Sequence, residues 1–185
     1  MDDKQPGHAS HDGGVTTPQW RTLPTTGPRR WLFRTPLLVY RARLGWLFGH
    51  RLVMLVHRGR RSGRWRQVVV EVVVRDPKTG AVTVASGYGP GSNWYRNLLA
   101  DPDAEIVLGS RRLAVRATRV PPEQGGELMV DYAWRRPRSA RMVARQMGVQ
   151  VDGSEAAFRA LGEALPYVRL EPRDRNIEDG TGGAG

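Results

Sequence analysis

The 185 residues carry 29 lysines and arginines against 18 aspartates and glutamates, a formal net charge of +11, and no cysteine. Disulfides and thiolate metal sites are therefore excluded, and acidic partners are favoured: nucleic acid, an anionic membrane surface or a polyanionic cofactor. No apolar run approaches the ~18 residues needed to span a bilayer and the N-terminus lacks the apolar core of a signal peptide, so the expected location is the cytoplasm.

Residues 1–28 are Gly, Pro, Thr, His and Asp with few apolar side chains, and residues 172–185 end in Glu-Asp-Gly-Thr-Gly-Gly-Ala-Gly. Neither stretch can bury enough surface to offset the entropy of ordering it. Both are expected to be tails around one domain spanning 29–171, a typical single-domain length.

The domain opens with an aromatic, basic segment from Trp31 to Arg51. Thr35 as N-cap with Pro36 behind it starts a helix, and Gly45 or Gly49 ends it. Its apolar side carries Trp31, Phe33, Trp46 and Phe48, with Arg34, Arg41, Arg43 and Arg51 among them. Such a helix caps a core; alternatively, the helix near 31–50 gives the protein a peripheral contact with a membrane surface.

The centre of the chain is Leu52–Glu71, read as strand, tight basic turn, strand. Leu52–Val56 and Val68–Val70 are β-branched, apolar runs that suit a pleated surface. Between them Gly59 and Gly63 bracket Arg58, Arg60, Arg61, Arg64 and Arg66, with Ser62 adding a hydroxyl. Guanidiniums so crowded repel one another, and a phosphate or carboxylate gripped in a two-bond fork relieves that repulsion. The turn is an anion cradle or, on the plainer reading, a solvated basic loop.

Gln67–Arg75 continues as a strand covered on both faces. The turn Asp76-Pro77-Lys78-Thr79-Gly80 leads to a strand over Ala81–Ser86. A glycine loop, Gly87–Ser92, then opens a short helix near Asn93, capped by Ser92 or Asn93 and stopped by Asp101-Pro102. Glu105–Leu108, a Gly109-Ser110 turn and Arg112–Val120 form a further hairpin. Helices are expected over Glu123–Arg136 and Arg138–Met147, broken at Pro137, and again after Ser154, which supplies half a capping box. Tyr167–Leu170 is the last strand. About six short, mostly antiparallel strands joined by hairpin-length turns, with helices outside, predict an α+β fold built on a small closed or half-closed barrel.

Three stretches together resemble the deazaflavin-dependent nitroreductase family, which includes deazaflavin-dependent quinone reductases. They are GRRSGRWRQ (Gly59–Gln67), VASGYGPGSNWYRNLLADP (Val84–Pro102) and DYAWRRPRSAR (Asp131–Arg141). The resemblance covers about Leu32 to Glu171. It implies a split β-barrel binding the deazaflavin coenzyme F420, whose side chain carries a phosphodiester and an oligoglutamate tail, with flavin mononucleotide (FMN) as the alternative. By resemblance, Arg60, Arg61 and Ser62 hold the phosphate and first glutamates, while Arg66, Gln67, Val68, Val69 and Val70 line the ring. Ala85, Ser86 and Gly87 lie along its other side, and Asn93, Trp94, Tyr95 and Asn97 close over it. The chain departs from the family at Gly87 and Arg61, where lysine is common, and at Trp65, where proline is.

The implied activity is hydride transfer from reduced F420 to a small electron-poor acceptor such as a quinone or nitroaromatic, the coenzyme carrying the difficult chemistry. Tyr132 and Trp134 are candidates for the acceptor pocket, and Tyr132 or solvent for the proton source. A second reading keeps the barrel as a non-catalytic carrier of a lipid, tetrapyrrole or flavin. A nucleic-acid partner is set aside because the arginines concentrate on one hairpin facing a glycine-bounded pocket. No metal site is expected: His8 and His11 sit in the N-terminal tail, and His50 and His57 flank a strand without carboxylates at ligand spacing, which suggests solvated or capping roles.

Overall fold

The computed structural model describes residues 51–173; the helix expected near 31–50, the N-terminal tail and residues 174–185 lie outside them. Six strands are formed: β1 (Leu52–Arg58), β2 (Trp65–Arg75), β3 (Val82–Ala85), β4 (Asp103–Leu108), β5 (Arg111–Arg119) and β6 (Tyr167–Pro172). Four helices are α1 (Asn93–Ala100), α2 (Pro122–Arg135), α3 (Pro137–Gln146) and α4 (Glu155–Ala164). Among the described residues no helix is long and apolar enough to cross a membrane.

The strands close into an antiparallel barrel in the order β1-β2-β3-β6-β5-β4, with β4 returning to β1 through Leu55 opposite Ile106. Closure removes the unpaired edges an open sheet would expose. Alternation decides what fills it. Val53 and Leu55 of β1, Val82 and Val84 of β3, Ile106 of β4, Val115 of β5 and Val168 and Leu170 of β6 point inward and are wholly or almost wholly buried. At the β2–β3 pairing the register slips between Val72 and Val74. This bulge leaves one extra residue on β2, and Val73 packs against the helices. The last strand runs two residues beyond the expected Leu170, and the Arg173 amide still donates to the Ala114 carbonyl at 2.9 Å.

Helix α1 closes one part of the barrel. Its Tyr95 and Leu98 sit in the barrel core, so its first turn is held against the β1–β2 turn. Ser92 is the N-cap by position, yet its hydroxyl hydrogen-bonds the Ser86 hydroxyl at 2.7 Å instead of capping the helix. Helices α2, α3 and α4 form a second core around Met129, Met147, Phe158, Leu161 and Tyr167. Glycines let α2 and α4 approach: a Cβ on Gly125 would lie 2.8 Å from the Gly162 carbonyl oxygen. Ser154 caps α4 as expected, its hydroxyl accepting from the Ala157 amide at 3.2 Å.

Candidate functional site

The β1–β2 turn is held by its own backbone. The Gly59 amide donates to the Arg64 carbonyl at 2.9 Å, and the Gly63 amide donates to the Gly59 carbonyl at 2.7 Å. Gly63 takes a φ of +63°, where an L side chain is strained. Gly59 leaves room for a different group: a Cβ there would lie 2.9 Å from the Ser62 hydroxyl oxygen, which would have to turn aside, and 3.4 Å from the Arg64 carbonyl oxygen. A tight loop results, from which arginine side chains project. Trp65, where the resembling family has proline, gives Arg58 a surface, the guanidinium lying 4.6 Å from the ring centroid.

Helix α1 fixes one of those arginines. The Asn97 carboxamide oxygen accepts from the Arg60 amide at 3.2 Å and from its Nη1 at 2.8 Å. Asn93 Oδ1 accepts from Arg60 Nη1 at 3.2 Å and Nη2 at 3.3 Å. The other end of Asn97 reaches His57, with 3.3 Å between Nδ2 and the ring Nδ1. His57 is 3% exposed and points inward at the end of β1, so the solvated or capping role expected for it is wrong. Local sequence carries no sign of the pairing, because 40 residues separate His57 from Asn97.

The charges here are unbalanced. Glu71 and Asp76 are the only carboxylates between Arg51 and Ala100. Among the described residues Arg61, Arg64, Arg66 and Arg96 have no ion pair, whereas Arg112, Arg116, Arg159 and Arg169 do. Desolvation, followed by the charges of Arg96 and Arg61, holds the Arg60 pKa below the ordinary arginine value. Burial, and secondarily the charge of Arg66, likewise lowers that of His57, against a rise from its contact with the Arg58 carbonyl. Beside these groups lies a cavity of about 500 Å³.

The cavity gathers Arg60, Arg61, Ser62, Arg66, Gln67 and Val68 from the β1–β2 hairpin, and Asn93, Trp94 and Asn97 from α1. It adds His57, Gly59 and Ser92, which the sequence reading had not placed there. The remaining expected residues lie elsewhere. Val70 packs against the barrel core, and Val69 lies on the outer face beside Met54 and Val56. Tyr95 is buried beneath α1. Ala85 packs against the helices; a Cβ on Gly87 would lie 3.8 Å from the Gln146 side chain. Ser86 is spent on its own loop, hydrogen-bonding the Gly89 carbonyl at 2.7 Å.

Tyr132 and Trp134 are not brought together, and neither lines the cavity. Tyr132 is buried and donates to Glu71 Oε1 at 3.1 Å, the oxygen that also receives Arg136 Nη1 at 3.0 Å. Burial, and then the Glu71 charge, raise the phenol pKa. Trp134 is 78% exposed and borders a separate groove of about 270 Å³ with Val130, Arg141 and Phe158. The sequence marks Glu71 as the lone acidic residue in an apolar strand and assigns it no role.

A model of the family described as F420H(2)-dependent quinone reductase matches residues 32–153. A Mycobacterium tuberculosis protein provisionally named F420H(2)-dependent quinone reductase is 34% identical over 90 residues, 48% of this chain and 70% of that one. The solved structure of an F420-H2 dependent reductase aligns with TM-score 0.47 and 17% identity, covering 66% of this chain and 96% of that one. A pyridoxamine 5'-phosphate oxidase-related, FMN-binding protein from Nostoc punctiforme aligns with TM-score 0.47 and 16% identity, covering 80% and 82%.

Proposed function

The chain belongs to the F420H(2)-dependent quinone reductase family, and we propose that it reduces a quinone or similar electron-poor acceptor with coenzyme F420 held at the β1–β2 turn. The observation that carries this is the cluster of guanidiniums without carboxylates around a cavity of about 500 Å³. A ligand bearing a phosphodiester and several carboxylates fits such a donor set, and each charge-assisted contact is about twice as strong as a neutral one.

Each residue then has a task. Arg60, locked onto α1, presents its guanidinium in one orientation, so little side-chain freedom is lost when an anion arrives. Arg61, Ser62 and Arg66 supply further donors along the cavity wall. Gly59 keeps the loop small enough for backbone and ligand to approach. Trp94 and Val68 give the cavity an apolar side suited to a flat ring. When bound, reduced F420 supplies the hydride equivalent. Solvent is the proposed proton source for the acceptor, because Tyr132 lies outside the cavity lining and its hydroxyl is donated to Glu71.

The test is spectroscopic. Oxidation of reduced F420 is followed anaerobically with a short-chain quinone and with a nitroaromatic, with and without protein. Protein-dependent oxidation that requires the acceptor supports the reading. Tight F420 binding without turnover on either acceptor would replace it with the carrier role.

A further inference from the structure

We propose that His57 is a positioning residue for this anion site: by accepting from Asn97 at Nδ1 it decides which end of the Asn97 carboxamide faces Arg60, and a proton on Nδ1 reverses that choice. The cavity's role as the coenzyme site is the reading on which its consequence for affinity rests.

The ring nitrogen stands between two partners. Nδ1 lies 3.3 Å from Asn97 Nδ2, a donor, and 3.3 Å from the Arg58 carbonyl oxygen, an acceptor. One nitrogen carries either a lone pair or a proton, so it serves one partner at a time. With the lone pair there, the Asn97 amino group donates to His57 and its oxygen faces the turn, taking the Arg60 amide and Nη1. With a proton there, Nδ1 donates to the Arg58 carbonyl and meets the Asn97 amino group donor to donor. The carboxamide then regains a partner only by turning over, which sets its amino group against the Arg60 guanidinium. A buried polar group left without a partner is costly, so the two arrangements are distinct states.

The surroundings favour the neutral ring. His57 pairs across the ladder with Arg66 of β2. The turn brings Arg60, and α1 brings Arg96, whose charge acts on Arg60. From β4, Glu105 stands opposite Val56 on the outer face and is engaged by Arg112. Among the described residues lining the cavity there is no carboxylate to stabilise an imidazolium. Burial acts in the same direction.

The experiment has two arms. In the cofactor-free protein, the ¹⁵N spectrum of the imidazole at neutral pH should show Nδ1 unprotonated and Nε2 protonated. Acidification should move the His57 signals and the Asn97 side-chain amide together, with one midpoint below the ordinary histidine value of 6.5. A proton on Nδ1 at neutral pH, or an Asn97 amide indifferent to the titration, overturns the proposal.

The second arm measures F420 affinity by tryptophan fluorescence across pH. His57→Gln keeps an acceptor that does not titrate, so it should bind within about twofold of wild type at neutral pH and lose less affinity on acidification. His57→Phe should bind about tenfold more weakly throughout. Parallel pH profiles for wild type and His57→Gln overturn the proposal even if His57→Phe fails to fold. Wild-type protein that shows the expected spectra yet binds no F420 would overturn the cavity assignment and leave the positioning intact.

Discussion

Two hairpins of one barrel are both rich in arginine; among the described residues two arginines of one, Arg112 and Arg116, have carboxylate partners, and none of the other's does. In the β4–β5 hairpin Arg112 lies against Glu105, and Arg116 shares Asp103 with Arg173 at 3.1 and 3.0 Å. In the β1–β2 hairpin Arg61, Arg64 and Arg66 have no ion pair among the described residues, and Arg58 rests on an indole. Exposed ion pairs are worth only about 0–1 kcal/mol, so the first arrangement is an ordinary surface. The second keeps like charges together around a cavity, a cost that an incoming polyanion removes. The net charge of +11 therefore says less than the distribution of the carboxylates does.

The comparison breaks most sharply if the basic turn is given the carboxylate it lacks. Arg61→Glu exchanges an attraction for a repulsion and should weaken F420 binding about a hundredfold, measured by fluorescence titration. Arg60→Ala removes one cation and the links to Asn93 and Asn97, and should cost at least about tenfold. Raising ionic strength from low to high should weaken F420 binding to wild type several-fold, since these cations are exposed and screening acts within about 10 Å at 0.1 M salt; the thermal midpoint should scarcely move.

Stability responds to pH through His57. Its folded-state pKa lies below the unfolded value of 6.5, so the unfolded chain takes up the proton first as pH falls. Stability should therefore decline once pH drops below the ordinary histidine value and level off below the folded value. His57→Gln should flatten that window in thermal melts. The smallest effect belongs to the β4–β5 hairpin, where Arg112→Ala should shift stability by no more than about 1 kcal/mol and leave F420 binding unchanged.

The ladder of elements was legible because each has a local signal. β-branched runs marked β1 and β2, Asp76–Gly80 marked the turn before β3, and Pro102, Pro137 and Ser154 marked helix boundaries. The closure of β4 onto β1 was foreseen only as a class of fold, since no local pattern states which strands pair. The bulge at Val73 gave no sign either, because the residues on each side of it, Val72 and Val74, are also valine. Within the site, the spacing of the turn arginines left an anion cradle and a solvated basic loop both open, and the family resemblance favoured the cradle. The pinning of Arg60 by Asn93 and Asn97, and of Asn97 by His57, spans 33 to 40 residues and exists only once the barrel brings β1 and α1 together. Tyr132 and Trp134 sit two residues apart on α2, a spacing that turns their side chains to different sides of a helix; one meets Glu71 and the other meets solvent.

The central claim is that the unneutralised hairpin, and not basic charge in general, recognises the coenzyme. The direct measurement is F420 affinity for two variants of equal charge change, Arg61→Ala with Arg66→Ala, and Arg112→Ala with Arg116→Ala. A loss of at least about tenfold in the first, with the second within about twofold of wild type, is the predicted result. Equal losses in the two would contradict the claim.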